Sequence, residues 1–430
     1  MASITFPPVP ELPIHPYVQY LRSTLVKIDR LKDLEKAIRE SIEKDQIVEF
    51  TEWGITDASR FFQYASYLLT SWIPSETQDG RFVYYVLTIF YYVFDKASIE
   101  DLQTPIAPTS IQGDMPIITP VSNWITGFAV RMGQWLDTPD SLTPASYQSF
   151  VHSPPYRVGP HGDYHIPDPA DPRGGFKTFN ELFCRRLRCD YPYTGVRPIA
   201  GPKDPNVVIF PADSTFDGAF PIDSNNTVEI KGLQWPISAL LAGSEYADSF
   251  AGGTWAHAFL NTFDYHRQHA PVAGTVVEAS NIEGLCYLQV IAKDDEHGHT
   301  RLKPHRGFRS PANKPRHNGD VVAQPDAPDE AGYEFIQTRG LIIIKTGRPE
   351  VGLVAVLPMG MAQVSSVKLA VRVNQELKKG EEISHFEFGG SDIVLVFEKK
   401  AGVDFSKMPL KEHHFMGEQL ATFNPAAAGT

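Results

Sequence analysis

The chain has 430 residues, of which 42% are hydrophobic and 21% are charged, and its formal net charge is −12 at pH 7. This composition is that of a globular protein with room for two or three domains. The acidic balance argues against a nucleic-acid partner and against docking on an anionic membrane by charge alone. The three cysteines follow no metal-binding or redox spacing, so we expect a reducing, cytoplasmic location.

The amino-terminal end and the apolar runs bear on membrane attachment. Met1 to Pro16 contains several prolines and no lysine or arginine, so we expect no signal peptide. The longest apolar run, Phe82 to Phe94, is interrupted only by Thr88, and it falls short of the roughly 20 residues that a membrane span needs. We therefore expect no membrane attachment and a substrate that is free in solution.

Apolar residues recur at three- and four-residue steps through the first third of the chain, which predicts helices. The predicted helices are residues 17–45 as one amphipathic helix, Asp57 to Trp72, Phe82 to Lys96, and Asn123 to Leu136. We interpret residues 1–150 as a helical N-terminal domain. Residues 151–175 are rich in proline, glycine, histidine and aspartate, which predicts an irregular linker. We predict no metal site there, because no helix would hold the linker histidines on one face.

From Phe176 onward the pattern changes to short apolar runs between turn residues, which is typical of β-strands. The predicted strands are Val207 to Phe210, Gly274 to Ala279, Tyr287 to Ala292, Gly340 to Lys345, Gly352 to Leu357, Val367 to Val373 and Ile393 to Phe397. A short helix is predicted over Ile237 to Leu241, and Arg301 to Ala327 is predicted to be a surface loop that covers the active site. The fold class is thus α+β: a helical N-terminal domain followed by a mainly antiparallel β catalytic domain.

The segment from His385 to Glu398 has the composition of two strands joined by a tight turn at Gly389 and Gly390. Ser391 follows these glycines directly and is the one nucleophile-capable side chain between the strands. One interpretation is a structural serine that caps the turn. The other is a reactive serine, which needs support from elsewhere in the chain.

Four separated segments supply that support through their shared order. They are Phe179 to Leu187 with Arg197 to Ile199, Phe210 to Asp213, Asp264 to Pro271, and Gly389 to Ser391. In this order they resemble the phosphatidylserine decarboxylase family, and in particular its soluble amino-acid decarboxylase branch, which includes the tryptophan decarboxylase of psilocybin biosynthesis. The resemblance implies that residues 176–430 form a pyruvoyl-dependent decarboxylase domain of this family.

The resemblance also implies the chemistry and the residues that perform it. The chain would cleave itself between Gly390 and Ser391, and Ser391 would become a covalent pyruvoyl cofactor whose ketone binds the substrate amine. His269 would be the base for self-cleavage and Asp213 the acid that orients it, as in other Asp–His–Ser arrangements. His266 would move a proton during substrate decarboxylation.

Two further features of the matched segments carry expectations. The family usually has threonine or serine after the cleavage-site serine, whereas this chain has Asp392, a carboxylate that could slow processing or recognise a substrate amine. Arg185, Arg186 and Arg197 are expected to be structural and to tie their segment to carboxylates.

The expected activity is decarboxylation of a free aromatic L-amino acid to its amine. The expected partners are this small molecule and the chain's own cleaved small fragment. One alternative is a phosphatidylserine decarboxylase that makes phosphatidylethanolamine, and the basic residues from Arg301 to Arg316 could then hold the lipid phosphate. Another alternative is an uncleaved, inactive scaffold protein that keeps the fold.

Overall fold

The α+β fold class is confirmed by the computed structural model, which describes residues 8–230, 232–295, 298–304, 332–360, 367–388 and 392–426. Within these ranges the longer helices lie in the first third of the chain, and most of the strands follow. The helices are α1 (Pro16–Lys27), α2 (Leu31–Glu43), α3 (Val48–Glu52), α4 (Ala58–Thr70), α5 (Phe82–Phe94), α6 (Pro120–Leu136), α7 (Pro144–Val151), α8 (Phe179–Phe183) and α9 (Ile237–Leu240).

The single helix predicted over residues 17–45 is wrong, because the chain breaks between α1 and α2. Asp29 adopts a φ of 57°, in the left-handed region that a continuous right-handed helix excludes. Leu25 of α1 and Leu34 of α2 are both fully buried, so the apolar period that predicted one helix still describes the buried faces of two.

The next two predicted helices are confirmed as α4 and α5. The Asp57 side chain caps α4 by accepting the backbone N–H of Arg60 at 2.9 Å. The helix α5 is apolar on nearly all sides, as expected of a helix inside a protein core. Its Phe90 ring stacks on Phe61 of α4 and on Phe128 of α6, with centroid distances of 6.1 and 4.7 Å.

The strands pair antiparallel throughout the described sheets. They are β1 (Ile111–Gln112), β2 (Met115–Pro116), β3 (Val207–Ile209), β4 (Ser214–Pro221), β5 (Thr227–Ile230), β6 (Leu233–Pro236), β7 (Thr254–Phe259), β8 (Arg267–His269), β9 (Gly274–Ile282), β10 (Val290–Asp294), β11 (Thr300–Pro304), β12 (Arg339–Lys345), β13 (Leu353–Met359), β14 (Val367–Leu369), β15 (Glu376–Leu377), β16 (Glu382–Phe386), β17 (Asp392–Phe397), β18 (Val403–Asp404), β19 (His413–His414) and β20 (Gln419–Phe423). Several of them, including β4 and β7, were not predicted from the sequence.

An eight-stranded sheet forms the centre of the β part, in the order β15-β9-β12-β13-β17-β7-β4-β19. β17 lies inside this sheet, hydrogen-bonded to β13 on one side and to β7 on the other. All six residues of β17 are buried, which agrees with the apolar and mostly β-branched character of Ile393 to Phe397.

The two strands that flank the Gly389–Gly390 segment belong to different sheets. β16 pairs with β14 and β8 in a three-stranded sheet, whereas β17 is in the eight-stranded sheet. The chain therefore crosses from one sheet to the other between Phe388 and Asp392. The turn and the serine predicted at 389–391 lie outside the described residues.

The helical and β parts contact each other through the hairpin of β10 and β11. The Val290 N–H donates to the carboxylate of Asp95 at the end of α5, and the Leu302 N–H donates to Glu49 of α3, at 3.1 and 3.3 Å.

The surface loop predicted from Arg301 is wrong for its first residues, because Arg301 to Pro304 lie in β11 and Leu302 is buried. Residues 305–327 of that loop lie outside the described residues, and the domain boundaries at 150 and 175 stay predictions.

Candidate active site

The structure anchors both sides of the expected cleavage point. On the amino-terminal side, the Phe388 N–H donates to Asn180 Oδ1 at 3.0 Å, and its ring contacts those of Trp72 and Phe183. On the carboxyl-terminal side, Asp392 begins β17, and its carboxylate accepts a hydrogen bond from the Tyr333 hydroxyl at 3.0 Å. Phe388 and Asp392, the described residues on the two sides of the expected cleavage point, are therefore each fixed by a side chain from another element.

His266 lies beside the amino-terminal anchor. Its ring stacks on Phe183 with a centroid distance of 3.9 Å, and Phe183 in turn contacts Phe388. Its backbone carbonyl accepts the N–H of Phe386, the last residue of β16, at 2.9 Å. The side chain is completely buried. The structure thus places this predicted residue next to the strand that leads to the expected cleavage point.

His269 is a completely buried imidazole with a defined hydrogen-bond partner on each nitrogen. Nδ1 lies 2.8 Å from the carbonyl oxygen of Gly380, and Nε2 lies 3.1 Å from the Tyr265 hydroxyl. A carbonyl oxygen only accepts hydrogen bonds, so Nδ1 carries the proton and Nε2 accepts from Tyr265. Burial lowers the pKa of His269 to about 4, against opposing contributions from Gly380 and nearby carboxylates. The ring is therefore neutral near pH 7, with its basic nitrogen directed toward Tyr265.

Asp213 and His269 lie on adjacent segments, and each side chain is hydrogen-bonded to different groups. The His269 N–H donates to the carbonyl oxygen of Pro211 at 2.7 Å, two residues before Asp213. The Asp213 carboxylate accepts two hydrogen bonds from Arg197, at 2.9 and 2.7 Å, and one from the Met416 N–H at 2.8 Å. The structure brings the predicted acid and base into one region, with the carboxylate engaged by a buried guanidinium.

The three arginines of the first matched segments behave differently from one another. Arg197 is buried and pairs with Asp213 and Asp163, as expected of a structural arginine. Arg185 is also buried, but the carboxylate partners expected for it are wrong, because its guanidinium donates to backbone carbonyl oxygens, the shortest bond being 2.7 Å to Phe263. Arg186 is largely exposed, and its guanidinium lies 3.8 Å from Glu382.

A cleft with a volume of about 380 Å³ opens beside these groups. Asp213 lines it together with three aromatic rings, those of Tyr164, Phe263 and Phe415. Asn261 also lines it, two residues after Phe259, which pairs with Asp392 in the sheet. The cleft therefore lies close to the end of β17 at which the cleavage point is expected.

A carboxylate–imidazole pair that the sequence did not single out also lines this cleft. His413 Nε2 lies 2.8 Å from Asp264 Oδ1, and the other Asp264 oxygen accepts the Asn261 N–H at 2.6 Å. Burial raises the pKa of Asp264, although His413 opposes this shift. Burial alone would lower the pKa of His413, but the hydrogen bond to Asp264 and its charge outweigh burial and raise it. Asp264 begins a matched segment, so its place in that segment was the available signal; nothing in the sequence pattern indicated His413.

Comparison with known proteins identifies the family of the chain. A family model described as phosphatidylserine decarboxylase matches residues 179–422, which is more than half of the chain. The decarboxylase iboD of Amanita muscaria is 27% identical over 266 residues, which cover 61% of this chain and 70% of that protein. The L-tryptophan decarboxylase of Psilocybe cubensis is 25% identical over 236 residues, covering 54% of this chain and 48% of the relative.

A third relative carries the name of the family. Phosphatidylserine decarboxylase proenzyme 3 of Schizosaccharomyces pombe is 32% identical over 227 residues, covering 53% of this chain and 19% of the yeast protein. In the part of this chain that the structure describes, no helix is long and apolar enough to cross a membrane. The family is one of pyruvoyl-dependent decarboxylases, and the family match covers every segment from which the resemblance was inferred. The chain therefore belongs to the phosphatidylserine decarboxylase family.

Proposed function

We propose that the chain cleaves itself between Gly390 and Ser391, converts Ser391 to a pyruvoyl group and decarboxylates a free aromatic L-amino acid. The observation that carries this proposal is His269, a buried and neutral imidazole with a basic nitrogen. It lies in the same region as Asp213 and three residues from His266, which adjoins the chain just before the cleavage point. The relative named as a proenzyme supports processing of the chain.

Self-cleavage needs a base because a serine hydroxyl is a poor nucleophile until its proton is removed. In the proposal, His269 Nε2 takes the proton of the Ser391 hydroxyl, whose oxygen bonds to the carbonyl carbon of Gly390. The Gly390–Ser391 C–N bond breaks, and the released nitrogen takes up a proton. Elimination of the Gly390 carboxylate with loss of the Ser391 α-proton leaves dehydroalanine, and hydrolysis of dehydroalanine gives the pyruvoyl group and ammonia.

Asp213 supports this step through its charge and through the packing that it fixes. Its negative charge favours the protonated form of His269, which is the form that the base acquires during the reaction. Its bonds to Arg197 and Met416 tie the segment after β19 to the segment before β4. We therefore assign Asp213 to self-cleavage as the group that stabilises the protonated base and the packing around it.

The residues around the cleavage point fit the family's pyruvoyl group. That group supplies a ketone that binds the substrate's α-amine and takes up the electron pair left when CO₂ departs. The anchors at Phe388 and Asp392 would hold the cut ends in place, because each is fixed by a side chain from another element. His266, stacked beside the first anchor, would return a proton to the substrate's α-carbon.

The cleft favours a small substrate with an aromatic side chain. Its volume of about 380 Å³ is at the lower end of the range for small-molecule sites, so it suits a free amino acid better than a whole diacyl lipid. The rings of Tyr164, Phe263 and Phe415 offer contact surfaces for an indole or phenyl group. The tryptophan decarboxylase relative supports this substrate class.

Phosphatidylserine is the second candidate substrate, favoured by the relative of 32% identity that is named for it. A panel assay decides between the two candidates. The purified enzyme is given each free L-amino acid in turn and, separately, vesicles that contain phosphatidylserine, and released CO₂ is measured. We expect turnover of tryptophan or another aromatic amino acid. Turnover of the lipid alone would reject the proposed substrate, and turnover of a non-aromatic amino acid alone would keep the reaction and reject the aromatic site.

A further inference from the structure

A group of ionisable side chains is buried on one face of the large sheet, at the start of β17. We call Asp217, His257, Glu334 and Asp392 the His257 cluster. His257 Nδ1 lies 3.6 Å from Asp217 Oδ2, and its Nε2 lies 3.9 Å from Glu334 Oε1 and 3.8 Å from Asp392 Oδ1. All four side chains are at most 2% exposed. Of these four residues, the proposed mechanism uses only Asp392, as the anchor of one cut end.

The sheet register explains why these residues meet. Asp392 pairs with Phe259 and Val394 pairs with His257, so His257 and Asp392 lie on the same face of neighbouring strands. Asp217 comes from β4, on the other side of β7, and Glu334 comes from the turn before β12. Three strands and one turn that are distant in sequence therefore meet at Asp392, the residue that follows Ser391.

Further groups complete the surroundings of the cluster. The Tyr333 hydroxyl donates to Asp392 Oδ2 at 3.0 Å. The Lys411 side chain is half-exposed, and its ammonium pairs with Asp217. The Trp255 ring stacks on the His257 imidazole with a centroid distance of 5.7 Å. Asp392 is thus held between a hydroxyl and an imidazole inside the fold and is not directed into the open cleft.

Burial makes this arrangement sensitive to its charge balance. Charges removed from water are costly unless they are paired, and removal of one partner leaves the others uncompensated. Burial raises the pKa of Glu334 to about 7, with the charge of Asp392 adding to the shift and that of His257 opposing it. Above that pH, Glu334 adds a further negative charge beside Asp392.

We infer that the His257 cluster positions Asp392, and through it the Gly390–Ser391 bond, for self-cleavage. This inference rests on the proposed function, because it assumes that this bond is cut. Asp392 shares a peptide bond with Ser391, and β17 is hydrogen-bonded on both sides, so a fixed Asp392 limits the directions that the preceding residue can take. Asp392, which stands where the family usually has threonine or serine, is then a positioning residue.

The test follows processing of the full-length chain after a short labelling pulse in cell-free synthesis. Precursor and cut chain are separated on denaturing gels over time. In Asp392→Asn and in Tyr333→Phe, which removes one hydrogen bond without changing charge, we expect self-cleavage to slow by about tenfold. The matched control is Glu398→Gln, at the other end of β17, which we expect to cleave at the wild-type rate. Wild-type rates in both Asp392→Asn and Tyr333→Phe would overturn the inference.

The pH dependence of self-cleavage distinguishes a positioning role of the His257 cluster from a merely structural role. Labelled wild-type precursor is moved to buffers from about pH 6 to about pH 8, and the cleavage rate is measured in each. We expect the rate to fall as pH rises past about 7, where Glu334 ionises, and Glu334→Gln to abolish that fall. An unchanged fall in Glu334→Gln would contradict the inference. Absence of cleavage between Gly390 and Ser391 in the wild-type chain would instead reject the proposed function.

Discussion

His269 donates its Nδ1–H to the carbonyl oxygen of Gly380 across 2.8 Å, and this hydrogen bond fixes the tautomer of a completely buried imidazole. Gly380 precedes β16, the strand that leads toward the proposed cleavage point. The basic Nε2 is consequently the nitrogen that remains for proton transfer, and in this structure it accepts from Tyr265. The orientation that the sequence resemblance assigned to Asp213 is provided by a backbone carbonyl.

Replacement of the base should stop processing. We expect His269→Ala to accumulate full-length precursor, with self-cleavage slowed by roughly 10²- to 10⁴-fold, the usual contribution of a general base. Gel or mass analysis of freshly made protein checks this. The matched control is His269→Gln, which can still donate to Gly380 but lacks a basic nitrogen, and it should fail equally. Wild-type cleavage in either variant would remove His269 from the mechanism.

The low pKa of His269 predicts how self-cleavage depends on acidity. A base must be neutral, and a group with a pKa of about 4 stays neutral as pH falls from 7 to about 5. On acidification the rate should therefore not decline over that range, and it should fall only as pH approaches 4. Circular dichroism at each pH would show whether the chain is still folded. A rate that halves near pH 6.5, the ordinary pKa of histidine, would contradict the assignment.

Removal of the Tyr265 hydroxyl distinguishes direct transfer of the serine proton to His269 from transfer through the tyrosine. That hydroxyl occupies the acceptor nitrogen of His269 at 3.1 Å. If the imidazole takes the serine proton directly, Tyr265→Phe frees the nitrogen, and we expect self-cleavage at the wild-type rate or faster. A loss as large as that in His269→Ala, measured in the same pulse experiment, would show that the tyrosine relays the proton.

Neutralisation of Asp213 should affect both stability and processing. Asp213→Asn leaves the buried Arg197 with one carboxylate partner, Asp163, and we expect a loss of about 3 kcal/mol in the free energy of unfolding. It also removes the charge that favours protonated His269, so precursor should accumulate. The matched control is Asp163→Asn, which weakens the same ion-pair network without touching Asp213. Equal processing rates in the two variants would reduce Asp213 to a structural role.

His266 should be needed for decarboxylation and not for self-cleavage. We expect His266→Ala to be cut normally. Its rate of CO₂ release per pyruvoyl group should fall at least about 10²-fold, because the proton donor to the substrate's α-carbon is missing. Phe183→Leu, which removes the stacking partner at 3.9 Å and keeps the imidazole, is the matched control and should retain most turnover. Accumulated precursor in His266→Ala would move this residue to the cleavage step.

Local patterns in the sequence predicted much of the fold. The apolar patterns of α4 and α5 predicted helices that the structure confirms, and the β-branched run of β17 predicted a buried strand. The break at Asp29 was missed because the apolar period continues across it. The strands β4 and β7 were missed because Asp217 and His257 interrupt their apolar residues.

The partners of the candidate site residues could not be predicted in the same way. The contacts of Asp213 with Arg197, of His269 with Gly380 and of His257 with Asp392 depend on how distant segments register in the sheets. A sequence pattern reports periodicity and residue type, and it does not report which segment packs opposite. The roles of the site residues therefore remain predictions for the experiments above.

The most direct test of the central claim is the mass of the purified protein. Intact-mass spectrometry of the wild-type chain should show two fragments, residues 1–390 and residues 391–430, the second beginning with a pyruvoyl group in place of serine. Ser391→Ala should give one full-length chain without decarboxylase activity. A single uncut wild-type chain that still releases CO₂ would contradict self-cleavage as the source of activity, and an uncut chain without activity would favour the scaffold alternative.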